Sequence, residues 1–210
     1  MQAVKSVVIS CAGIGSRLGL GTTKALINIH GKSMIQRQLE MFEEIDDIRI
    51  VVGFGASKVI EEARKYRPDA VFVFNHEYFS TKTGYSYYLG ARDGNPFALE
   101  YDGDLLVHPE DMKMLLHTDG EWIAYGDKAS EDAVYVRVDR AGNVVGFSRE
   151  DGAFEWTGPC CMKKEHIRPL AGNVYSQLEP YLPMRGIKIR AYDIDTYADY
   201  QRVLETVKQW

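Results

Sequence analysis

The run Val4-Lys-Ser-Val-Val-Ile-Ser10, followed at once by Cys11-Ala-Gly-Ile-Gly-Ser-Arg-Leu-Gly-Leu-Gly-Thr-Thr-Lys24, decides how this chain is read. The first part is dense in β-branched residues and predicts a strand; the second is a glycine-rich loop carrying two cations. Gly13 and Gly15 let the backbone approach a ligand closely, Ser16 adds a hydroxyl, and neighbouring amides can point at phosphate oxygens. Arg17 is suited to clamp phosphates through its fork of donors, and Lys24 to act as a mobile point charge. Two glycines alone would read as a plain strand-to-helix turn. The added cations turn the reading towards an anion cradle.

Two commoner phosphate loops fit less well. A dinucleotide fingerprint needs GxGxxG, but position 18 is Leu18 and the third glycine is Gly19. The acid expected at the end of the second strand is replaced by Gly53-Phe-Gly55. Gly31-Lys-Ser33 mimics the end of a P-loop, yet the residue five before Gly31 is Leu26. That glycine and Lys32 read instead as a turn before the first helix.

Outward from the loop, the first hundred residues alternate β-branched runs with amphipathic segments, the pattern of a parallel sheet wrapped by helices. Residues 34–44 carry Ile35, Leu39 and Phe42 at i, i+4 and i+7, which predicts a helix. Strands are expected over 48–52, 70–74 and 97–101, with helices over 57–66, stopped by Pro68, and about 85–92. His108 and Pro109 suit a helix start. Beyond it, residues 122–125, 134–138, 144–147 and 154–162 read as antiparallel strands that extend the sheet and form a small lid over its carboxyl edge. One last strand is expected over 187–192. Thr196, with Asp199 three residues on, looks like the capping box of a final helix.

The expected strand 97–101 runs into Asp102-Gly-Asp104, in the layer where open α/β sheets bind ligands. Asp193 and Asp195 end the last strand, and alternation turns both to one side. Hard oxygen ligands from two strand ends suit a magnesium–triphosphate site, with water and phosphate oxygens completing the octahedron. Taken singly, each pair also reads as a polar turn or a helix cap.

At 210 residues, 45% hydrophobic, the chain is long enough to bury a sizeable core. Its net charge of −5 argues against a nucleic-acid or anionic-membrane surface, so any phosphate must be met locally. Cys11, Cys160 and Cys161 form neither an even framework nor a spaced metal pair. Reduced thiols, a start without a signal-like apolar region and no run of 18 apolar residues make a cytoplasmic protein without a membrane span the expectation. His30, His76, His108, His117 and His166 lack metal-ligand spacing, and no GxSxG context surrounds Ser16 or Ser86. Tyr78, Tyr85, Tyr87 and Tyr88 could hold a cationic headgroup through cation–π contact, although helix aromatics are more often core.

Together, residues 12–19 with Lys24, Asp102-Gly-Asp104, and Asp193-Ile-Asp-Thr196 before a final helix resemble the nucleotidyltransferase superfamily of sugar-phosphate nucleotidylyltransferases and small cytidylyltransferases. These elements follow the family's order along nearly the whole chain. The resemblance implies an α/β fold with a Rossmann-like, mostly parallel central sheet flanked by helices. It also implies that Arg17 and Lys24 contact the triphosphate as catalytic residues, that Ala12, Gly13, Gly15, Ser16 and Asp102 bind nucleotide, and that Asp104 and Asp195 hold Mg2+. Asn75-His-Glu-Tyr-Phe-Ser-Thr-Lys-Thr-Gly-Tyr-Ser-Tyr-Tyr-Leu89 further resembles a region of bacterial phosphocholine cytidylyltransferases. That likeness implies CTP, with Asn75, Gly84 and Ser86 on the nucleotide side and phosphocholine as a model acceptor. Thr23 stands where the family usually has proline before the lysine, and Thr83-Gly84 where an Asn-Asn pair is expected.

A single domain over 1–210 is therefore expected, with a nucleotide-binding half over 1–107 and an acceptor-binding half and lid over 108–210. The expected partners are a nucleoside triphosphate and a small phosphorylated substrate, without nucleic acid or membrane; a homodimer is left open. A sugar-1-phosphate nucleotidyltransferase and a non-catalytic nucleotide-binding regulatory module are the alternatives. Arg149, Glu155 and Trp156, in the expected lid, are left outside the site.

Overall fold

The computed structural model describes residues 4–15, 22–129 and 133–209. Thirteen strands and six α-helices follow one another among them. They are β1 (Lys5–Cys11), β2 (Asn28–Ile29), β3 (Lys32–Ser33), α1 (Met34–Met41), β4 (Asp47–Val52), α2 (Ala56–Arg64), β5 (Val71–Phe74), α3 (Thr83–Ala91), β6 (Phe97–Asp102) and β7 (Leu105–Val107). Then come α4 (Pro109–His117), β8 (Trp122–Asp127), β9 (Tyr135–Val138), β10 (Asn143–Ser148), β11 (Phe154–Lys163), α5 (Tyr175–Leu178), β12 (Met184–Lys188), β13 (Ala191–Asp193) and α6 (Tyr197–Thr206).

Among the described residues the main sheet runs β5-β4-β1-β6-β11-β8-β12-β10-β9, with β11 also meeting β9. β1 lies inside it and is covered on both faces, so its residues form a continuous buried run in place of an alternating one. Val7, Ile9 and Cys11 pack under Ile35 and Leu39 of α1, Val59 and Ala63 of α2, and Met112 and Leu115 of α4. Val8 faces the other way, towards Tyr87 and Ala91 of α3 and Leu178 of α5. The layering follows from strand alternation meeting two sets of amphipathic helices.

The expectation of a mostly parallel sheet holds only for β5, β4, β1 and β6, which are mutually parallel. β11 is antiparallel to both β6 and β8, and β10 to both β9 and β12; β12 runs parallel to β8. The sheet is mixed because β11 enters it from the neighbouring antiparallel strands and not by a helical crossover. The single strand expected over 187–192 is two strands in different sheets. Arg190 breaks it: its backbone N–H and guanidinium both donate to Asp111, while His108 N–H donates to the Arg190 carbonyl at 2.9 Å. β13 then pairs with β7 instead, a strand with no sequence expectation.

Local signals placed several helix starts. Ser33 Oγ caps α1 by accepting from Gln36 N–H, Pro109 opens α4, and both hydrogen bonds of the Thr196–Asp199 capping box are present. No described helix is long and apolar enough to cross a membrane.

Candidate active site

β1 and β6 pair with Ser10 opposite Asp102, so the glycine loop and the Asp102–Asp104 turn leave the sheet side by side. Gly103 N–H donates to the Ser10 carbonyl at 3.0 Å, holding the turn against β1. The pairing of Asp193 with Leu105, and Ile194 N–H donating to the Asp104 carbonyl at 3.1 Å, bring the second acidic pair to the same edge. A cleft of about 380 Å³ opens there, at the carboxyl ends of the strands.

Six of the expected site residues line it: Gly13, Gly15, Lys24, Asp102, Asp104 and Asp195. Lys24 Nζ lies 2.6 Å from Asp104 Oδ2 and 2.5 Å from Asp195 Oδ1, so one ammonium joins carboxylates from distant parts of the chain. Burial alone would lower the Lys24 pKa, but Asp104 and Asp195 outweigh it and hold the lysine above its ordinary value. The lysine stem passes over Gly15, whose φ of +65° is left-handed and where an added Cβ would lie 2.9 Å from Lys24 Cγ. Gly15→Ala is therefore expected to displace Lys24 and weaken triphosphate binding. Gly13→Ala, whose Cβ meets nothing within 4 Å among the described residues, separates steric crowding of the lysine from general loop stiffening. Nucleotide titration of the two variants makes the comparison, and equal losses would remove the Lys24 explanation.

Acid is in excess here. Asp102 is pushed up to about 7, by burial and then by the Asp104 charge, against the lowering effects of a Glu100 hydrogen bond and of Lys24. Asp193 is shifted well above the carboxylate range by withdrawal from bulk water and by Asp104, Asp102 and Asp195, although the residue itself remains exposed. For a residue so exposed, repulsion by the neighbouring Asp104, Asp102 and Asp195 is the cause that holds.

Other expected residues lie elsewhere. Asn75 and Ser86 are buried: Asn75 Nδ2 donates to Thr81 Oγ1 at 3.0 Å and to Ser86 Oγ at 3.1 Å, while its Oδ1 accepts from Glu77 N–H. At Gly84 an added Cβ would fall 2.8 Å from the carbonyl oxygens of Gly172 and Asn173. None of the three lines the cleft; the neighbouring Thr83 does. Ala12 is buried behind the loop, its carbonyl accepting from Phe54 N–H. Ser16 and Arg17 lie outside the described residues. The four tyrosines weighed as a cation cage are also absent from the lining; Tyr87 is wholly buried, and its hydroxyl donates to the Ala98 carbonyl.

The opposite wall comes from residues left out of the sequence-based site. Trp156, Asn173 and Tyr175 line the cleft, and Phe147 meets the Trp156 ring edge-on and the Tyr175 ring at a tilt. Arg149 lies over Tyr175, 5.9 Å from the ring centre, and its hydrogen bond, with one from Asn173, lowers the phenol pKa. Glu155 points to the other face of β11 and accepts from Ala129 N–H. The β11 bulge at Gly158, φ +103°, keeps this strand close to Asp102 without a side chain between them.

Two buried polar residues underlie the acids and went unnoticed in the sequence. Gln38 of α1 donates from Nε2 to the carbonyls of Asp102 and Leu105, bracketing Asp104. Glu100 sits wholly buried on β6, two residues before Asp102. The signal in each case was a polar side chain within an apolar pattern: Gln38 within the stripe of Ile35, Leu39 and Phe42, and Glu100 inside a buried strand.

The MobA-like NTP transferase domain family matches residues 7–172. The bifunctional protein GlmU of Acaryochloris marina is 30% identical over 112 residues, 52% of this chain. The match spans only 23% of that relative's length. Among solved structures, the CTP:phosphocholine cytidylyltransferase LicC of Streptococcus pneumoniae superposes with TM-score 0.78 at 19% identity, over 97% of this chain and 99% of the other. The inositol-1-phosphate CTP transferase of T. maritima gives TM-score 0.82 at 15% identity, over 100% and 98%. HddC of Yersinia pseudotuberculosis gives 0.79 at 18% identity, over 96% and 99%. At these identities the structural likeness establishes a shared fold.

Proposed function

The chain belongs to the family of MobA-like NTP transferase domains, and from that premise we propose that it is a magnesium-dependent nucleotidyltransferase that joins the α-phosphate of a nucleoside triphosphate, CTP by preference, to a small phosphorylated acceptor such as phosphocholine, releasing pyrophosphate. The observation that carries this reading is Lys24, held between Asp104 and Asp195 beside the glycine loop in a single cleft. CTP is supported by the names of two fold relatives. A single catalytic domain is supported by the sheet, whose strands come from both halves of the chain.

The donor set fits magnesium. Asp104 and Asp195 offer hard oxygens close enough to share one ammonium, and the nearby Asp102 and Asp193 leave a surplus of negative charge for a divalent cation to relieve. No group of three acidic, His or Cys ligands positioned for a metal occurs among the described residues, so phosphate oxygens and water would complete the shell. When bound, the ion would draw charge from the α-phosphate and neutralise it as the bond to pyrophosphate breaks.

The remaining work belongs to the protein's residues. Lys24 leaves its carboxylate partners and moves onto the triphosphate, joined by Arg17, while Gly13 and Gly15 admit the phosphates close to the backbone. The acceptor phosphate is already ionised near neutral pH, so in-line attack needs positioning and charge stabilisation more than a general base. Asn75, Gly84 and Ser86 shape the wall behind Thr83. The antiparallel strands β9, β10 and β11 cover the acceptor end, a role supported by Val134, just before β9, and Trp156 of β11 in the cleft lining.

An aromatic wall facing surplus carboxylate favours an acceptor with a cationic headgroup over a neutral sugar. Trp156→Ala is expected to raise the acceptor KM about tenfold, equivalent to ~1.4 kcal/mol, while leaving the nucleotide KM near its starting value. A rise confined to the nucleotide KM would place Trp156 on the other subsite. The reaction itself is tested by pyrophosphate release with four nucleoside triphosphates against phosphocholine, phosphoethanolamine, inositol 1-phosphate and hexose 1-phosphates. Nucleotide binding without release in any combination would favour the non-catalytic module. Turnover with hexose 1-phosphates alone would favour the sugar-nucleotide reading.

A further inference from the structure

Glu100 is a carboxyl group in a place that ordinarily excludes one. It lies in the middle of β6, paired with Val8 on one side and Cys160 on the other, and has no exposure to solvent. Oε1 accepts from Ser10 Oγ at 3.3 Å; Oε2 is buried, and no donor among the described residues reaches it. An ionised carboxylate with one oxygen wholly unpaired, close to further acids, would bear the full desolvation penalty of a charge. Asp102, two residues on, projects from the same strand face.

We propose that Glu100 is a protonated carboxylic acid whose Oε2–H donates to the Asp102 carboxylate, making Glu100 the positioning residue for the floor of the nucleotide cleft. One proton thereby satisfies the orphan oxygen and directs a lone pair of Asp102, leaving its remaining acceptor capacity facing the cleft. Ser10 Oγ fixes the other oxygen, so the Glu100 side chain is oriented at both ends. The direction of its titration agrees, since burial and Asp102 raise Glu100 well above the carboxylate range. Among the described residues the titratable groups near Glu100 are Asp102, Asp104 and Tyr101 from its own strand and turn, Cys160 from β11 and Tyr87 from α3. None of them is a cation that could pair with an ionised Glu100.

The role assigned to Asp102 rests on the proposed function; the protonation of Glu100 does not, and the experiment reads the two separately. Glu100→Gln keeps the shape and retains a donor where the acid has its proton, whereas Glu100→Val removes it. At about pH 8, where an ordinary glutamate is ionised, the infrared difference spectrum of the wild type minus Glu100→Gln is expected to contain the carbonyl-stretch band of a protonated carboxylic acid. The melting temperature supplies a second reading. A folded-state pKa above the unfolded value gives stability that is full below the ordinary glutamate range and is lost as pH rises towards the folded value, so Glu100→Gln should gain on the wild type as pH rises through that window. In turnover, Glu100→Gln is expected to stay within about threefold of the wild type, and Glu100→Val to show a nucleotide KM raised about tenfold, the scale of one charge-assisted hydrogen bond. Identical infrared spectra for the wild type and Glu100→Gln, or a Glu100→Gln defect equal to that of Glu100→Val in folded protein, would overturn the proposal. Should Glu100→Val fail to fold, the infrared and melting comparisons with Glu100→Gln still decide it.

Discussion

Asp104→Asn and Asp195→Asn are each expected to lower pyrophosphate release by about 100-fold or more, some ~2.7 kcal/mol of barrier, with little change in melting temperature. Asparagine keeps the shape of aspartate while removing the charge that would hold a divalent cation. The structure explains why stability should hardly move. Each substitution costs one Lys24 ion pair but also relieves repulsion on Asp102 and Asp193, both of which are raised in part by their acidic neighbours. Asp102→Asn should be milder, because the Lys24 ion pairs go to Asp104 and Asp195 and not to Asp102. Pyrophosphate release measured against magnesium concentration, beside thermal melts, separates these outcomes. Near-normal turnover in both Asp104→Asn and Asp195→Asn would sink the two-carboxylate site, and unfolding would return the residues to turn and cap roles.

Lys24→Met should be comparably severe for turnover and should act in the opposite direction on cation binding. The lysine stem remains, but the ammonium that satisfies Asp104 and Asp195 is gone. At the proposed site a divalent cation would have to displace that ammonium, and a bound triphosphate would offer the lysine an alternative partner. Cation and nucleotide should therefore enter cooperatively, each weakly without the other. In Lys24→Met, manganese titrated into nucleotide-free protein is expected to bind about tenfold more tightly than in the wild type. Magnesium should raise the melting temperature of this variant more than that of the wild type, since the ion then binds the folded state without competition. Unchanged manganese affinity would show that the ion pairs and the cation do not compete. Unchanged nucleotide affinity would remove Lys24 from the phosphate site.

Much of this site was legible before any fold was known. The glycine loop, Lys24 and both acidic pairs stand at the ends of β-rich runs, and strand ends in an α/β pattern are where ligands bind. Strand β1, helices α1, α2 and α4, and the capped start of α6 followed from periodicity and caps, which act over a few residues. Where the sequence reading went astray, contacts distant in sequence decided the outcome. Arg190 divides an apparently continuous strand because Asp111, 79 residues earlier, captures its guanidinium. Asn75, Gly84 and Ser86, expected on the nucleotide side, have polar groups engaged by Thr81, by each other and by Gly172, and only the neighbouring Thr83 joins the cleft lining.

By itself the sequence determined the chemical kit: a glycine-rich loop, a lysine, two acidic pairs, and an alternation of strands and helices that orders them along one sheet edge. Only the tertiary structure decided which of these side chains meet. Lys24 and Asp195 are 171 residues apart, and nothing in local propensity couples them. Their contact exists because β1 and β6 are neighbours and because β13 pairs with β7, beside the Asp102–Asp104 turn. The aromatic wall comes from elsewhere in the chain, Trp156 from β11, which pairs with β6, and Tyr175 from α5, while Glu100 lies buried within β6 itself. Strand order is set by which apolar faces can be buried together across the whole chain, a non-local balance that residue spacing does not encode.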